Sequence, residues 1–337
     1  MRAIASVVSG GPEALEIIEL ADPVPGPGQV RIAVRACGVN YFDFLLIQDL
    51  HHTKPPRPYS PGGEVSGIIE AVGEGVTEPK VGDRVTLGGL PYGGMAEKLV
   101  TEANYCSPIP EGMSFEMAGG YPLVYGTSYF GLKQIGKMQP GETLLVLGAA
   151  GGVGLAAVEI GKAMGARVVA AVSSAEKEAL VREHGADAVI RYPRGPFDKQ
   201  GSKALADMFK QGCGGGCDVV YDPVGGEYTE ASIRALRPNG RSLIVGFPAG
   251  IPSLPLNLVL LKECSVNGVF WGPWVWREPE ASLENMRELA AMYEAGKLRP
   301  HIQKVFDFEE AAEAIAWLGA RKALGKVVVR VGPASEG

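Results

Sequence analysis

The sequence predicts an α/β protein in two parts, a β-rich part followed by a doubly wound parallel sheet. Three observations carry that prediction. The first hundred residues hold short strand-like runs separated by Gly/Pro turns. Residues 144–264 alternate short apolar runs with helical ones, the pattern of repeated β-α units. Where that second stretch begins, the apolar run Leu144-Leu-Val-Leu147 meets a glycine cluster, Gly148-Ala-Ala-Gly-Gly-Val-Gly154.

The first part reads as follows. Ala3-Ile-Ala-Ser-Val-Val8 is strand-like and starts almost at Met1, so no signal peptide is evident. Val30-Arg-Ile-Ala-Val-Arg-Ala36 alternates as a half-buried strand does. Val65-Ser-Gly-Ile-Ile-Glu-Ala-Val72, Arg84-Val-Thr-Leu87 and Glu97-Lys-Leu-Val100 are further short strands. Pro25-Gly26-Pro27-Gly28, Pro61-Gly62-Gly63, Gly73-Glu74-Gly75 and Val81-Gly82-Asp83 are the turns between them. The whole suggests a small β-barrel-like domain, left through Pro108 to Gly120 and a helix over 122–136.

In the second part, the glycine cluster is read as the tight turn between a strand and a helix running to Gly165. Glycines there let the backbone approach a diphosphate, and the helix N-terminus offers unpaired N–H groups and partial positive charge. The cluster is not a strict G-x-G-x-x-G, and glycines also serve ordinary turns. Its context is what counts: Pro140-Gly141 before the strand, and Arg167-Val-Val-Ala-Ala-Val172 as a second strand after the helix. Ala150, Gly151, Gly152 and Val153 are therefore candidate pyrophosphate contacts. An NAD site usually carries Asp or Glu about 20 residues past the glycines. That place is Ser174, in Val172-Ser-Ser-Ala-Glu-Lys177, so no carboxylate at the strand tip repels a 2′-phosphate. Ser173 and Ser174 can donate hydrogen bonds and Lys177 can supply charge, which predicts NADPH over NADH. Ser174 also suits the N-cap of a helix over 175–184, and Glu176 counts against the phosphate unless the helix turns it away. Strands follow at Ala188-Val-Ile190, Cys217-Asp-Val-Val-Tyr221 and Gly240-Arg-Ser-Leu-Ile-Val-Gly246. Ligands bind at the carboxyl ends of such strands, so Ser173, Tyr192, Asp222 and Phe247 become cofactor candidates.

A further strand is expected at 265–270, then Trp271-Gly-Pro-Trp-Val-Trp276, either a hydrophobic plug or a cofactor wall. A helix over 279–295, a strand over 301–306, a helix over 308–318 and a last strand, Lys326-Val-Val-Val-Arg330, complete the chain. This tail is expected to rejoin the first domain.

Composition bounds the function. The 337 residues suit two domains, and 46% hydrophobic with 21% charged residues is ordinary for a globular protein. A net charge of −6 argues against nucleic-acid or anionic-membrane surfaces. The longest apolar stretch, near Leu254 to Leu261, is broken by Pro255 and Asn257 and is far short of the ~20 residues that span a bilayer. Five irregularly spaced cysteines give no disulfide framework, so a cytoplasmic, reduced protein is expected. The close pair in Cys213-Gly-Gly-Gly-Cys217 lacks neighbouring His and is read as structural before metal or redox.

Taken in order, Asn40-x-x-Asp43, Pro61-Gly-Gly-Glu-Val-Ser-Gly67, Val81-Gly-Asp-Arg-Val85, the glycine cluster, Tyr221-Asp-Pro-Val-Gly-Gly226 and Gly325-Lys-Val-Val-Val329 resemble the medium-chain dehydrogenase/reductase superfamily in its zinc-free quinone oxidoreductase branch. The resemblance covers nearly the whole chain. It implies a GroES-like catalytic domain over 1–125 completed by 265–337, a Rossmann NADPH-binding domain over 126–264, a cleft active site and a homodimer. Zinc alcohol dehydrogenases of this superfamily carry Cys in G-x-C-x-x-D and His in G-H-E. Here those places hold Asn40 and Gly63, and the four-cysteine structural lobe is missing, so no metal is expected. Cys37 lies near the first place in the wrong register. Without a Lewis acid, alcohol oxidation is disfavoured. Hydride transfer to a quinone or an α,β-unsaturated carbonyl needs mainly positioning and hydrogen bonds to the developing oxyanion.

Carried over by position, the resemblance implies that Asn40 and Asp43 border the nicotinamide end and that Thr127 touches the cofactor. It places Gly151 to Val153 at the pyrophosphate, and Ser173, Ser174, Lys177 and Tyr192 around the adenosine phosphate. Phe247, Trp271 and Gly272 would line the nicotinamide pocket. Lys326 is a further cofactor candidate, or a plain solvent lysine. Relatives often have Tyr after Asn-x-x-Asp; here Leu45 and His51 stand there. His51 is a candidate proton or hydrogen-bond donor to the substrate oxygen, the alternative being a solvent-facing loop histidine. Two other functions stay open: an enoyl-thioester reductase, hinted at by Lys54 and Arg57, and an NADPH-binding protein with little turnover.

Overall fold

The computed structural model describes residues 1–320 and 322–332; Arg321 and the end of the expected tail, 333–337, lie outside the described residues. Along the chain come strands β1 (Arg2–Ser6), β2 (Leu15–Glu19) and β3 (Gln29–Val39), helix α1 (Tyr41–Ile47), and strands β4 (Glu64–Val72), β5 (Arg84–Gly88), β6 (Lys98–Glu102) and β7 (Ser107–Pro108). Helices α2 (Phe115–Gly119) and α3 (Pro122–Phe130) lead on, α3 running into a π-helical turn, Gly131–Ile135. Next are β8 (Thr143–Val146), α4 (Gly152–Ala163), β9 (Arg167–Val172), α5 (Ala175–Glu183), β10 (Ala188–Arg191), α6 (Lys199–Gly212), β11 (Cys217–Asp222), α7 (Glu227–Arg234) and β12 (Leu236–Ile244). The chain closes with α8 (Leu256–Lys262), β13 (Ser265–Gly268), α9 (Trp271–Arg277), α10 (Pro279–Glu294), β14 (Ile302–Phe306), α11 (Ala311–Gly319) and β15 (Lys326–Arg330). Of the elements absent from the sequence-based expectation, β2 and α1 are short, five and seven residues, whereas α6 is a fourteen-residue amphipathic helix that buries Leu205, Ala206 and Phe209.

Two compact units result, one of residues 1–126, 272–294 and 300–337, the other of 127–271 and 295–299. In the first unit a sheet runs β14-β15-β3-β4-β5-β7, with β6 also paired to β3. The long strand β3 alternates buried and half-buried residues before turning fully buried at its end, as expected for a strand that passes from a solvated edge into a core. Its end pairs antiparallel with β15, Val39 opposite Val327. That pairing ties the tail to the first domain. The core gathers Ile32, Val34, Val65, Leu87, Met95, Phe306 and Val329.

In the second unit the sheet order is β10-β9-β8-β11-β12-β13, all pairs parallel. The order reverses between β8 and β11, the switch point where such sheets bind ligands. Strand β8 is wholly buried, as a central parallel strand covered on both faces must be. Helix α4 lies close on it because Gly161 has no side chain: a Cβ there would come 2.7 Å from Leu144 Cδ2. Strand β13 pairs in parallel with β12, so residues 265–271 sit with this sheet, whereas the expected boundary put them in the tail that completes the first domain. The reason is that Val266 and Asn267 extend an existing sheet edge, and the tail returns to the first unit only after Trp271.

Candidate functional site

In the second unit the glycine turn is built as its sequence requires. Gly148 has φ +54°, and a Cβ on Gly154 would stand 2.3 Å from Gly148 O and 2.9 Å from Ala149 Cα. Only glycine lets the helix start this close to the turn. Gly151 is the N-cap of α4 and contributes no side-chain cap. The first N–H groups of a twelve-residue helix are therefore left for another acceptor, beside the half-exposed Gly151, Gly152 and Val153. Ala150 and Thr127 are buried.

At the end of β9, Ser173 and Ser174 are half-buried. Ser174 is the N-cap of α5 and accepts the Lys177 N–H at 3.3 Å; its hydroxyl proton remains to be donated, so capping and anion binding do not compete. Burial first, then the Arg194 guanidinium, lowers the Lys177 ammonium below its usual range, with Glu176 opposing. An anion bound beside Lys177 would favour its charged form. Glu176 is exposed in the first turn. Tyr192 is buried against Phe209 and Tyr228, and burial raises its phenol. Arg194 was missed in the sequence because it sits in a loop, Tyr192-Pro-Arg-Gly195, with no motif. Asp222, a cofactor candidate by its place at a strand end, instead turns inward and accepts from Thr229 Oγ1, Val224 N and Gly225 N, which shapes the loop after β11. Phe247 follows β12 and is 44% exposed. Trp271 is buried.

In the first unit a charged knot lies in the core. Asn40 precedes α1, and Asp43 in its first turn accepts Asn40 N at 2.8 Å and Gly62 N at 3.0 Å. The Asn40 amide donates to Gly38 O at 3.3 Å and Glu64 Oε1 at 2.9 Å. The Lys326 ammonium donates to Val39 O at 2.9 Å and Asn40 Oδ1 at 2.5 Å and pairs with Glu64 Oε1 at 2.6 Å. Glu64 Oε2 accepts Leu123 N at 2.8 Å. All four side chains are buried, so Lys326 is no solvent lysine. Its three donors are engaged by Val39, Asn40 and Glu64. Burial pushes the Asp43 carboxyl up to about 7, against its two backbone donors and the Lys326 charge. Burial likewise pushes the Cys37 thiol well up.

The sequence pointed to Asn40, Asp43 and Lys326 separately; the fold brings them together and adds Glu64. A charged residue heading each of two apolar strands, Glu64-Val and Lys326-Val-Val-Val, was the available signal. The place of a zinc-binding His holds Gly63, where a Cβ would meet Phe42 Cζ at 2.2 Å. The groups gathered there are an amide, a lysine and two carboxylates, Asp43 engaged by two backbone N–H groups and Glu64 by Lys326, Asn40 and Leu123 N, a set that does not suit zinc. His51 is not part of the knot. It is half-buried, packs on Phe42 with ring centroids 5.9 Å apart, and accepts Thr53 N on Nδ1 at 3.2 Å. Burial, then His52, lowers its pKa. Gly272 begins the return to the first unit, near Gly89. Trp276 donates to Gly89 O at 2.8 Å while Trp274 is buried, so the tryptophan cluster mainly anchors α9. Lys54 is exposed, but Arg57 is committed to Ser6, Ile47 O and Asp49.

Comparison with known proteins decides the family. The model for an alcohol dehydrogenase GroES-like domain matches residues 26–111, and that for a zinc-binding dehydrogenase matches 152–289. Quinone oxidoreductase-like protein 2 of Bos taurus is 36% identical over 317 residues, covering 93% of this chain and 88% of that protein. The chain belongs to the medium-chain dehydrogenase/reductase superfamily, in its quinone oxidoreductase branch. The synaptic vesicle membrane protein VAT-1 homolog of Homo sapiens is 34% identical, covering 94% of this chain and 82% of that protein. The crystal structure of Escherichia coli quinone oxidoreductase complexed with NADPH superposes with a TM-score of 0.89 at 27% identity, covering 98% of this chain and all of the other. The two units are thus a GroES-like domain and a Rossmann-like parallel sheet, and the chain is an oxidoreductase by family. Among the described residues no helix is long and apolar enough to cross a membrane.

Proposed function

We propose that the protein is a zinc-independent reductase that transfers hydride from NADPH to a quinone or an α,β-unsaturated carbonyl. The observation that carries this is the tip of β9, where Ser173, the N-cap Ser174 and Lys177 stand at the place where an NAD enzyme would carry a carboxylate. The Escherichia coli relative bound to NADPH supports the same cofactor. The Gly152 and Val153 N–H groups would take the pyrophosphate, Gly151 N–H already bonding Gly148 O at 3.0 Å in the turn, and Tyr192 and Phe247 would flank the cradle. Thr127, Trp271 and Gly272 are the proposed contacts nearer the nicotinamide. NADPH, when bound, supplies the hydride.

The chain's own residues then orient and protonate. Lys326 and Glu64 fix the Asn40 amide, leaving its Oδ1 one free acceptor position for a ligand hydroxyl or amide N–H. Lys326 therefore acts on the cofactor through Asn40, as a positioning residue, and Asp43 holds the Asn40 and Gly62 backbones in place. Because Nδ1 of His51 accepts Thr53 N–H, a neutral ring carries its proton on Nε2. That proton is the one offered to the substrate oxygen. The Lys326 ammonium, bonded to Val39, Asn40 and Glu64, lowers no hydroxyl pKa by coordination, which favours electron-poor acceptors over alcohols.

The test is NADPH oxidation, with NADH in parallel, against quinones, enones and enoyl-CoA esters. Turnover with NADPH on quinones or free enones is expected; preference for NADH, or turnover confined to CoA esters, overturns the reading. His51→Ala leaving turnover and its pH profile unchanged would remove His51 from the mechanism. A second reading, an NADPH-binding protein of low turnover, would be established by tight NADPH binding with no acceptor reduced. A cytoplasmic homodimer completes the proposal. Edge strand β13 and the exposed Leu256, Leu260 and Leu261 of α8 suit pairing with a second copy about a two-fold axis. Light scattering giving one-chain mass would refute it.

A further inference from the structure

Ser128 and Tyr221 are polar, wholly buried and outside the proposed hydride chemistry. Ser128 lies in α3 and Tyr221 near the end of β11. Their hydroxyls meet at 2.9 Å, and Ser128 Oγ also donates to Val153 O at 2.9 Å. A serine hydroxyl carries one proton. Since that proton goes to Val153 O, the Tyr221 O–H is the donor to Ser128 Oγ. Burial raises the Tyr221 phenol, so it keeps the proton it donates. The result is a one-way chain, from Tyr221 to Ser128 to the Val153 carbonyl.

Each member is set by the element that carries it. Tyr221 stands on a central strand of the parallel sheet, opposite Val146 of β8, and its carbonyl accepts Leu147 N at 3.0 Å where the chain enters the glycine turn. Its ring lies against the turn that ends α3, where a Cβ on Gly131 would stand 3.4 Å from Tyr221 Cε2. Val153 is the second residue of α4, inside its first turn. Its carbonyl and the Gly154 N–H share one planar peptide unit, so a bond on the oxygen also fixes the direction of that N–H. Phe and Ala would pack the same core with no polar atoms to satisfy. Packing alone therefore does not call for these two hydroxyls; what they add is direction.

We propose that Ser128 and Tyr221 are positioning residues for the dinucleotide, holding the first turn of α4 through Val153 O in the orientation that presents its N–H groups to the pyrophosphate. This rests on the reading of that turn as the nucleotide site. Gly151 and Gly152 put no side-chain restraint on the backbone that leads into the helix. Without the hydroxyl chain the first turn can rock about them, and the ligand must freeze it on binding. With the chain in place the turn is frozen beforehand.

Tyr221→Phe deletes one oxygen and keeps the ring, and Ser128→Ala breaks the chain at its centre. The full chain and each variant are titrated with NADPH, NADH and adenosine 2′-phosphate, and urea midpoints are measured alongside. Both dinucleotides carry the pyrophosphate; adenosine 2′-phosphate lacks it. Each variant is expected to lose about 3- to 10-fold in affinity for both dinucleotides, the scale of one hydrogen bond, and nothing for adenosine 2′-phosphate. Tyr221→Phe added to Ser128→Ala should bring no further loss, because the phenol acts through Ser128. A merely structural role would lower the urea midpoint and leave the affinities alone. Unchanged dinucleotide affinity, an equal loss for all three ligands, or additive losses in the double variant overturns the proposal. A parent chain that binds neither dinucleotide shows instead that the nucleotide reading has failed, and the positioning role falls with it.

Discussion

The two units handle backbone and side-chain polar groups in opposite ways. The parallel-sheet unit works by subtraction: Gly148, Gly151 and Gly154 carry no side chains, so the first helix N–H groups stand bare. The GroES-like unit works by addition: Asn40, Asp43, Glu64 and Lys326 are buried together, each satisfied by the others or by the backbone. The first device consists of neighbours in sequence and tolerates nothing bulkier. The second joins residues up to 286 apart, and loss of either Lys326 or Glu64 leaves the other's charge buried and unpaired.

That contrast can be broken at four places. The largest effect is expected in the knot. Lys326→Met leaves Glu64 buried without its cation and should cost ~3–5 kcal/mol in urea unfolding; adding Glu64→Gln should recover part of it. If the single variant is as stable as the parent, the knot is not what holds this end of β15. Gly154→Val drives a side chain into Gly148 O; overpacking predicts ~1–3 kcal/mol of destabilisation and loss of NADPH binding in a fluorescence titration, even where the variant remains folded. Lys177→Ala removes one charge-assisted contact, expected to be worth ~1.5–3 kcal/mol toward the 2′-phosphate. Calorimetric affinity for NADPH should fall and that for NADH should not; equal losses would place Lys177 elsewhere than at the phosphate.

The smallest effect is one of shape. The folded chain holds the Asp43 proton up to about pH 7, whereas an unfolded chain releases it near 3.8. Between those values the folded state binds more protons, so this group's contribution to stability is greatest below about pH 4, declines as pH rises to 7 and is flat above. Asp43→Asn should remove that slope from a series of urea midpoints. It should also lower stability throughout by ~1–3 kcal/mol, since an amide cannot accept from both Asn40 N and Gly62 N with the same two oxygens.

Much of this was legible beforehand. The β-α alternation from 144 onward, the glycine turn and the serines at the tip of β9 are each local patterns with a local physical cause, and the structure has them where the sequence put them. Short α1 was hidden because seven residues give no periodicity to read. Arg194 was hidden because a loop residue declares nothing about which strand tip it returns to. The boundary at 265 was misplaced because a four-residue edge strand is recognised only by the sheet it joins.

Backbone requirements, then, were written in the sequence: where glycine must stand, where a helix must start, and where a carboxylate is missing. Tertiary structure alone decided that Lys326 is a buried counterion and not a surface lysine, that Glu64 is its partner, and that the Cys213 and Cys217 thiols are buried. The reason is that a glycine's role is set by its own φ and its nearest neighbours in the chain, whereas the state of a charge or a thiol is set by whatever the fold packs against it.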